Sequence, residues 1–221
     1  MDILVCGVDE AGRGPVVGPL VLGCVLVDGN GAKKLRELKV RDSKKLTPSR
    51  REHLEPLIKS IAVEWRVLPI SPADIDRLRK SRSLNVIEAQ KTAQMIISLE
   101  NRPSKIIIDA ADAVEANYDR KIRESLEAAC PGYHIDELVC EHKADDNYVE
   151  VSAASVLAKV ARDRAIEDLK GEYGEFGSGY PSDPRTQEFV RKIIASGESP
   201  DCIRRSWNTM NRHRQTSLGD W

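Results

Sequence analysis

No stretch of this chain stays apolar long enough to cross a bilayer. The longest strongly apolar run, Val16–Val27, is 12 residues and is broken by Gly18, Pro19 and Gly23, short of the roughly 20 residues a spanning helix needs. Its flanks lack the basic segment and cleavage site of a secretory leader, so a cytoplasmic protein is expected. Cysteine is sparse: Cys6, Cys24, Cys130, Cys140 and Cys202 are widely spaced, odd in number and form no C-x-x-C pair. That pattern argues against a zinc site or a disulfide framework, and Cys6 and Cys24, in apolar runs, read as small buried hydrophobes. The histidines, His53, His134, His142 and His213, show no metal-ligand spacing, and Cys140-x-His142 has no second pair to complete a site. Internal repeats, low-complexity tracts and long linkers are absent too.

What is present fits one ordinary globular domain with a small appendage: 221 residues, 41% hydrophobic and 31% charged. Net charge is −1, but it is unevenly distributed. Lys33–Arg51 holds nine basic residues against two acidic, and Arg77–Arg82 and Cys202–Arg214 hold four each against none. Such runs suit phosphate binding, although a solvated protein face has the same composition.

Ile3–Val8 reads as a short buried strand ending at Asp9. A second strand starts after Pro19, since proline is excluded from a central ladder, and runs to Val27. Thr47-Pro48, Ser71-Pro72 and Asp183-Pro184 each pair a capping side chain with proline at the first helical position. Ala62–Ile70, Lys105–Ile108 and Tyr133–Val139 read as strands. Leu84–Leu99, Tyr118–Ala129 and a segment near Thr186–Ala195 read as helices, as does Val149–Glu172 with its alanine-rich face. Early strands joined as a hairpin and later ones alternating with helices imply a mixed sheet covered by helices.

Three sites share one pattern, in which an apolar strand or its exit delivers an uncompensated carboxylate. They are Asp9-Glu10 after Val5-Cys6-Gly7-Val8, Asp109 after Ile106-Ile107-Ile108, and Asp145 after the Tyr133–Val139 strand. Neighbouring strands lie roughly 4.8 Å apart, so carboxylates at their ends can converge. Like charges so close repel unless a cation sits among them, and oxygen-only ligands suit Mg²⁺ or Mn²⁺. Two such ions about 4 Å apart can clamp the attacking and leaving oxygens of a phosphoryl displacement. Within a strand, the adjacent Asp9 and Glu10 would face opposite sides; both serve one site only if the strand ends there. The plainer alternative is that these acids cap turns or pair with lysines.

Gly12-Arg13-Gly14 invites a nucleotide-loop reading, which fails because it leads into an apolar run with Pro15 and Pro19 rather than a helix N-terminus. An exposed backbone able to approach a ligand closely, with an arginine beside the carboxylates, remains; so does a simple tight hairpin.

The stretch Gly7-Val8-Asp9-Glu10-Ala11-Gly12-Arg13-Gly14-Pro15 with Gly18-Pro19 resembles the opening signature of the ribonuclease HII family. Asp42-Ser43-Lys44-Lys45-Leu46, Asp109, Glu141-His142-Lys143-Ala144-Asp145 with Ala153–Lys159, and Gly177-Ser178-Gly179-Tyr180 follow in the family's order. The resemblance is archaeal in style and covers residues 1 to about 215. It implies a ribonuclease H-like α/β fold, a mixed five-stranded sheet flanked by helices. A catalytic domain would span 1–183, with a C-terminal helical appendage and tail over 184–221. It places four catalytic, metal-holding acids on Asp9, Glu10, Asp109 and Asp145, with Asp112 and Asp146 as near neighbours of the last two. Gly12, Arg13 and Gly14 would read a ribose 2′-hydroxyl through the backbone, Tyr180 would pack on the nucleotide at an RNA–DNA junction, and Lys44 and Lys45 would contact phosphate.

The implied activity is Mg²⁺- or Mn²⁺-dependent, two-metal-ion hydrolysis of the RNA strand of RNA–DNA hybrids. It extends to cutting 5′ of ribonucleotides embedded in duplex DNA, leaving 3′-hydroxyl and 5′-phosphate ends. The tail holds Gln215, Leu218 and Trp221 at spacings that resemble a sliding-clamp docking motif lacking its second aromatic; a frayed terminus is the alternative. A monomer is expected. Two other classes compete: a junction-binding module without catalysis, opposed by the intact acidic quartet, and a DNA resolvase or integrase-type nuclease, opposed by Gly12–Gly14 with Tyr180.

Overall fold

The structure, a computed structural model, describes residues 3–40 and 46–207. Lys44, Lys45, Gln215, Leu218 and Trp221 therefore lie outside the described residues. The described residues divide into two compact units: residues 3–11, 21–40, 46–68 and 83–161 form the first, and residues 12–20, 69–82 and 162–207 the second.

The first unit is built on a five-stranded sheet. In chain order the strands are β1 (Val5–Ala11), β2 (Leu20–Val27), β3 (Glu64–Ile70), β4 (Lys105–Asp109) and β5 (Glu137–Glu141), arranged β3-β2-β1-β4-β5. β1 runs antiparallel to β2 and parallel to β4, which is parallel to β5, giving the mixed sheet anticipated. β2 is apolar at every position but Gly23 and buried throughout, as befits a strand covered on both faces.

Helices α1 (Gly29–Glu37), α2 (Pro48–Ile61), α4 (Leu84–Ile97), α5 (Glu115–Ala129) and the short α6 (Ala144–Asn147) belong to this unit, as does the start of α7 (Val149–Tyr173). One core joins Val25, Val27, Leu35, Leu54, Ile58 and Leu157, so α1, α2 and α7 pack on the same side of β2. Two glycines let α7 approach the sheet closely: a methyl group at Gly7 would fall 2.2 Å from the Glu150 carbonyl carbon, and one at Gly23 would fall 2.3 Å from the Ala154 oxygen. The alanine face predicted for this helix supplies the other half of that contact, through Ala154 and Ala158.

The second unit contains α3 (Pro72–Arg79) and α8 (Pro184–Ser196). It has its own apolar cluster, including Val16, Val17, Ile166, Phe176, Val190 and Ile203. The three capping pairs read from the sequence all act: Thr47, Ser71 and Asp183 accept from the backbone N–H groups of Arg50, Asp74 and Arg185. Among the described residues no helix is long and apolar enough to cross a membrane.

Several strand boundaries differ from expectation, among them the end of β1 and the start of β5. β1 does not stop at Asp9 but runs to Ala11, because β2 continues to pair with it from Asp9↔Gly23 to Ala11↔Val21. β5 begins at Glu137 rather than Tyr133. Its partner β4 starts only at Lys105, paired with Glu137, and the backbone before it is drawn off by a turn at Cys130–Tyr133 and by Arg102 donating to the His134 carbonyl.

Candidate active site

Asp9 sits where two ladders part company. Its antiparallel pairing with β2 continues, but the parallel ladder to β4 ends at Val8↔Ile108. Asp109, the last residue of β4, stands one step beyond that end, so the two acids occupy equivalent positions on adjacent parallel strands. In a strand Asp9 shares a face with Gly7, the face on which α7 lies. The Ser155 hydroxyl on α7 hydrogen-bonds Asp9, and Lys159, one turn on, donates to Ser155 at 2.6 Å.

Burial pushes the Asp9 carboxyl well above the ordinary carboxylate range. The charges of Glu10 and then Asp109 push it further, while Ser155 and Lys159 partly oppose the rise. The expected end of the strand between Asp9 and Glu10 is not found, since β1 runs on to Ala11; Glu10 joins Asp9 through its charge, which acts across the continuing strand. Neighbouring carboxylates that each resist ionisation of the other are the electrostatic condition for cation binding.

Asp145 reaches the same strand ends by a sharp turn. After β5, Lys143 adopts a left-handed conformation (φ 58°) that starts α6, a cost a non-glycine residue bears only where the surroundings enforce it. The next N–H, of Ala144, donates to the Asp109 carboxylate at 3.1 Å, which sets Asp145 one residue from that contact. Asp145 is buried and Asp146 exposed. Asp112 is engaged elsewhere: Lys121 donates to it at 2.7 Å, and that bond, with one from Asn85, lowers its pKa to about 2.

The donor set fits a hard divalent cation, being carboxylate oxygen throughout. Among the described residues, however, no three His, Cys, Asp or Glu side chains are gathered tightly enough to hold an ion as they stand.

In the second unit, the Gly12–Gly14 segment and the Tyr180 loop are tied together. Gly179 accepts from the N–H groups of Val16 and Val17 at 2.8 and 3.3 Å. Thr186 accepts from Gly179 at 3.0 Å, and Asp183 accepts from Ser178 at 2.8 Å. Tyr180 is 40% exposed, so its ring can meet a ligand. Exposure of the glycine segment is narrower than the sequence suggested: Gly12 is buried, Arg13 half-buried and Gly14 exposed.

The two glycines should respond differently to substitution. Gly12 has φ +84°, and a methyl group there would meet Arg162 at 2.4 Å and the Pro19 carbonyl at 2.8 Å. Gly12→Ala is expected to cost about 2 kcal/mol or more. A methyl group at Gly14 would rest 3.5 Å from the Tyr180 ring, an ordinary contact. Gly14→Ala should therefore change stability by less than about 0.5 kcal/mol while crowding the space beside the ring. Urea unfolding of both variants checks the contrast.

Sequence reading assigned no role to Ser155, Lys159, Arg162 or Arg204. Arg162 lies against the Tyr180 ring at 5.4 Å. Ser155 and Lys159 carry a signal in hindsight, as polar residues spaced four apart on an otherwise alanine-rich helix, but only the pairing of α7 with β1 shows what they face.

A mixed five-stranded sheet that brings acidic residues to the ends of adjacent strands, under a packing helix bearing a lysine, defines a metal-dependent hydrolase of the ribonuclease H class. The family model described as Ribonuclease HII matches residues 6–210. This chain belongs to the ribonuclease HII family. A ribonuclease HII from Thermococcus onnurineus is 47% identical over 207 residues, covering 93% of this chain and 88% of that one. The crystal structure of the ribonuclease H2 from Pyrococcus horikoshii OT3 superposes with a TM-score of 0.88 at 42% identity, covering 99% of this chain and 100% of that one. The ribonuclease HII of Archaeoglobus fulgidus, solved as a complex with PCNA, gives 0.84 at 40% identity, covering 98% of this chain and 100% of that one.

Proposed function

We propose that this protein hydrolyses the RNA strand of RNA–DNA hybrids and cuts 5′ of single ribonucleotides in duplex DNA, by a two-metal-ion mechanism that leaves 3′-hydroxyl and 5′-phosphate ends. The observation that carries the reading is the carboxylate cluster at Asp9, where burial and the charges of Glu10 and Asp109 together disfavour ionisation; membership of the family supports it. Asp9, Glu10, Asp109 and Asp145 would hold Mg²⁺ or Mn²⁺. Cations held there would supply charge neutralisation at the reacting phosphate and a lowered pKa for the attacking water. Ser155 and Lys159 fix the orientation of Asp9. Gly12, Arg13 and Gly14 offer backbone groups to the 2′-hydroxyl, the feature that separates RNA from DNA, and Tyr180 packs on the nucleotide. Lys44 and Lys45 would meet phosphate. The A. fulgidus relative in complex with PCNA supports docking of the tail, through Gln215, Leu218 and Trp221, on a sliding clamp. The chain would act as a cytoplasmic monomer.

The test is a DNA duplex carrying one ribonucleotide, incubated with Mg²⁺ or Mn²⁺. Cleavage should fall only on the 5′ side of the ribonucleotide and drop more than about a hundredfold in Asp145→Asn. Equal cutting of an all-DNA duplex would indicate a resolvase-type enzyme, and tight binding without cutting a recognition module.

A further inference from the structure

Arg204 is wholly shielded from water and heads the large buried side chains. Burying a guanidinium is costly unless its donors are well placed, and here all three nitrogens turn to one loop. Nε donates to the Gly18 carbonyl at 2.9 Å, and the two terminal nitrogens donate to Arg13 at 3.0 Å and Gly12 at 2.6 Å. Trp207 lies against the same guanidinium at 4.8 Å, and its indole N–H donates to the Gly14 carbonyl at 3.2 Å. Asp76 holds this segment in place by accepting from the N–H groups of Arg205 and Ser206 at 2.7 and 2.9 Å.

Four carbonyls of the loop thus point at Arg204 and Trp207. No cis peptide occurs among the described residues, and in a trans peptide the C=O of one residue and the N–H of the next point in opposite directions. Turning the Gly12 and Arg13 carbonyls toward Arg204 turns the N–H groups of Arg13 and Gly14 away from it. The residue after Gly14 is Pro15, which has no N–H, so the donor row ends there.

We infer that Arg204 is a positioning residue: by gripping the loop's carbonyls it aims the Arg13 and Gly14 amides at a ribose 2′-hydroxyl and so sets the preference for ribonucleotide over deoxynucleotide. A lysine could not replace it, because an ammonium lacks the planar fork that spans three carbonyls. The inference rests on the ribonucleotide-cutting reading given above.

The test measures affinity, in an Asp145→Asn background, for two duplexes that differ only in one ribonucleotide. Adding Arg204→Lys should lower the ribonucleotide preference about tenfold and leave affinity for the all-DNA duplex unchanged. Trp207→Phe, which keeps an aromatic face for the guanidinium but removes the donor to Gly14, should lower the preference by a smaller factor. A merely structural role would weaken both duplexes alike or lower only the melting temperature. Should Arg204→Lys fail to fold, Trp207→Phe decides. Undiminished preference in the folded variants overturns the inference alone; absence of any preference in the parent removes the ribonucleotide reading and the inference with it.

Discussion

Asp9→Asn is expected to lose cleavage by more than about a hundredfold and yet, in metal-free buffer at neutral pH, to melt at a higher temperature than the parent. The carboxyl group of Asp9 is held well above its ordinary pKa by burial and then by the charges of Glu10 and Asp109. A carboxyl raised in the folded state contributes most to stability below its unfolded pKa, and that contribution is lost as pH rises through the folded value. At neutral pH a raised carboxyl costs stability whichever form it takes, since it either ionises against its surroundings or holds a proton that the unfolded chain would release, and the neutral amide removes that cost. A gain on the order of 1 kcal/mol corresponds to about 2–4 °C in a chain of this size. The parent's metal-free melting temperature should also fall on going from mildly acid to neutral pH more steeply than the variant's. Calorimetry of both proteins across that range checks it; a variant less stable than the parent at every pH would show that Asp9 is a structural hydrogen-bonding group.

Gly23→Ala should destabilise the fold strongly. The added carbon would lie 2.3 Å from the backbone oxygen of Ala154 and 3.2 Å from the Ala158 side chain, so no rotamer change relieves the overlap and α7 must lift from the sheet. A loss of about 3 kcal/mol or more follows, or roughly 6–12 °C. Because α7 also carries Ser155 and Lys159, the protein that still folds should cleave poorly. Gly171, in the same helix, has nothing within 4 Å of its missing side chain, and Gly171→Ala should stabilise by about 0.5–1 kcal/mol. Chemical denaturation of the pair separates the packing requirement from helix propensity.

What could be read from sequence was local. The Thr47, Ser71 and Asp183 caps announced three helices because cap and proline are neighbours in the chain. β2 and α7 were legible from uninterrupted apolar and alanine patterns. Asp9, Asp109 and Asp145 stood out because each follows a strand or its exit. Boundaries set by long-range pairing were not legible: β1 is prolonged by β2, and β5 starts where β4 starts. α1 was missed because Gly29 and Gly31 resemble a turn, whereas Asp28 caps the helix by accepting from Gly31. Arg204 looked like one more charge in a basic run. Its partners lie more than 180 residues earlier in the chain, and no spacing rule reaches that far.

Mn²⁺ binding followed by electron paramagnetic resonance, without nucleic acid and across a pH series, tests the cation-gathering role of the carboxylates most directly. Binding should weaken as pH falls, beginning well above the ordinary carboxylate range because Asp9 takes up its proton early, and should be reduced on the order of a hundredfold in Asp9→Asn and in Asp109→Asn. Mn²⁺ bound equally well by the parent and both variants, with no dependence on pH, would contradict it.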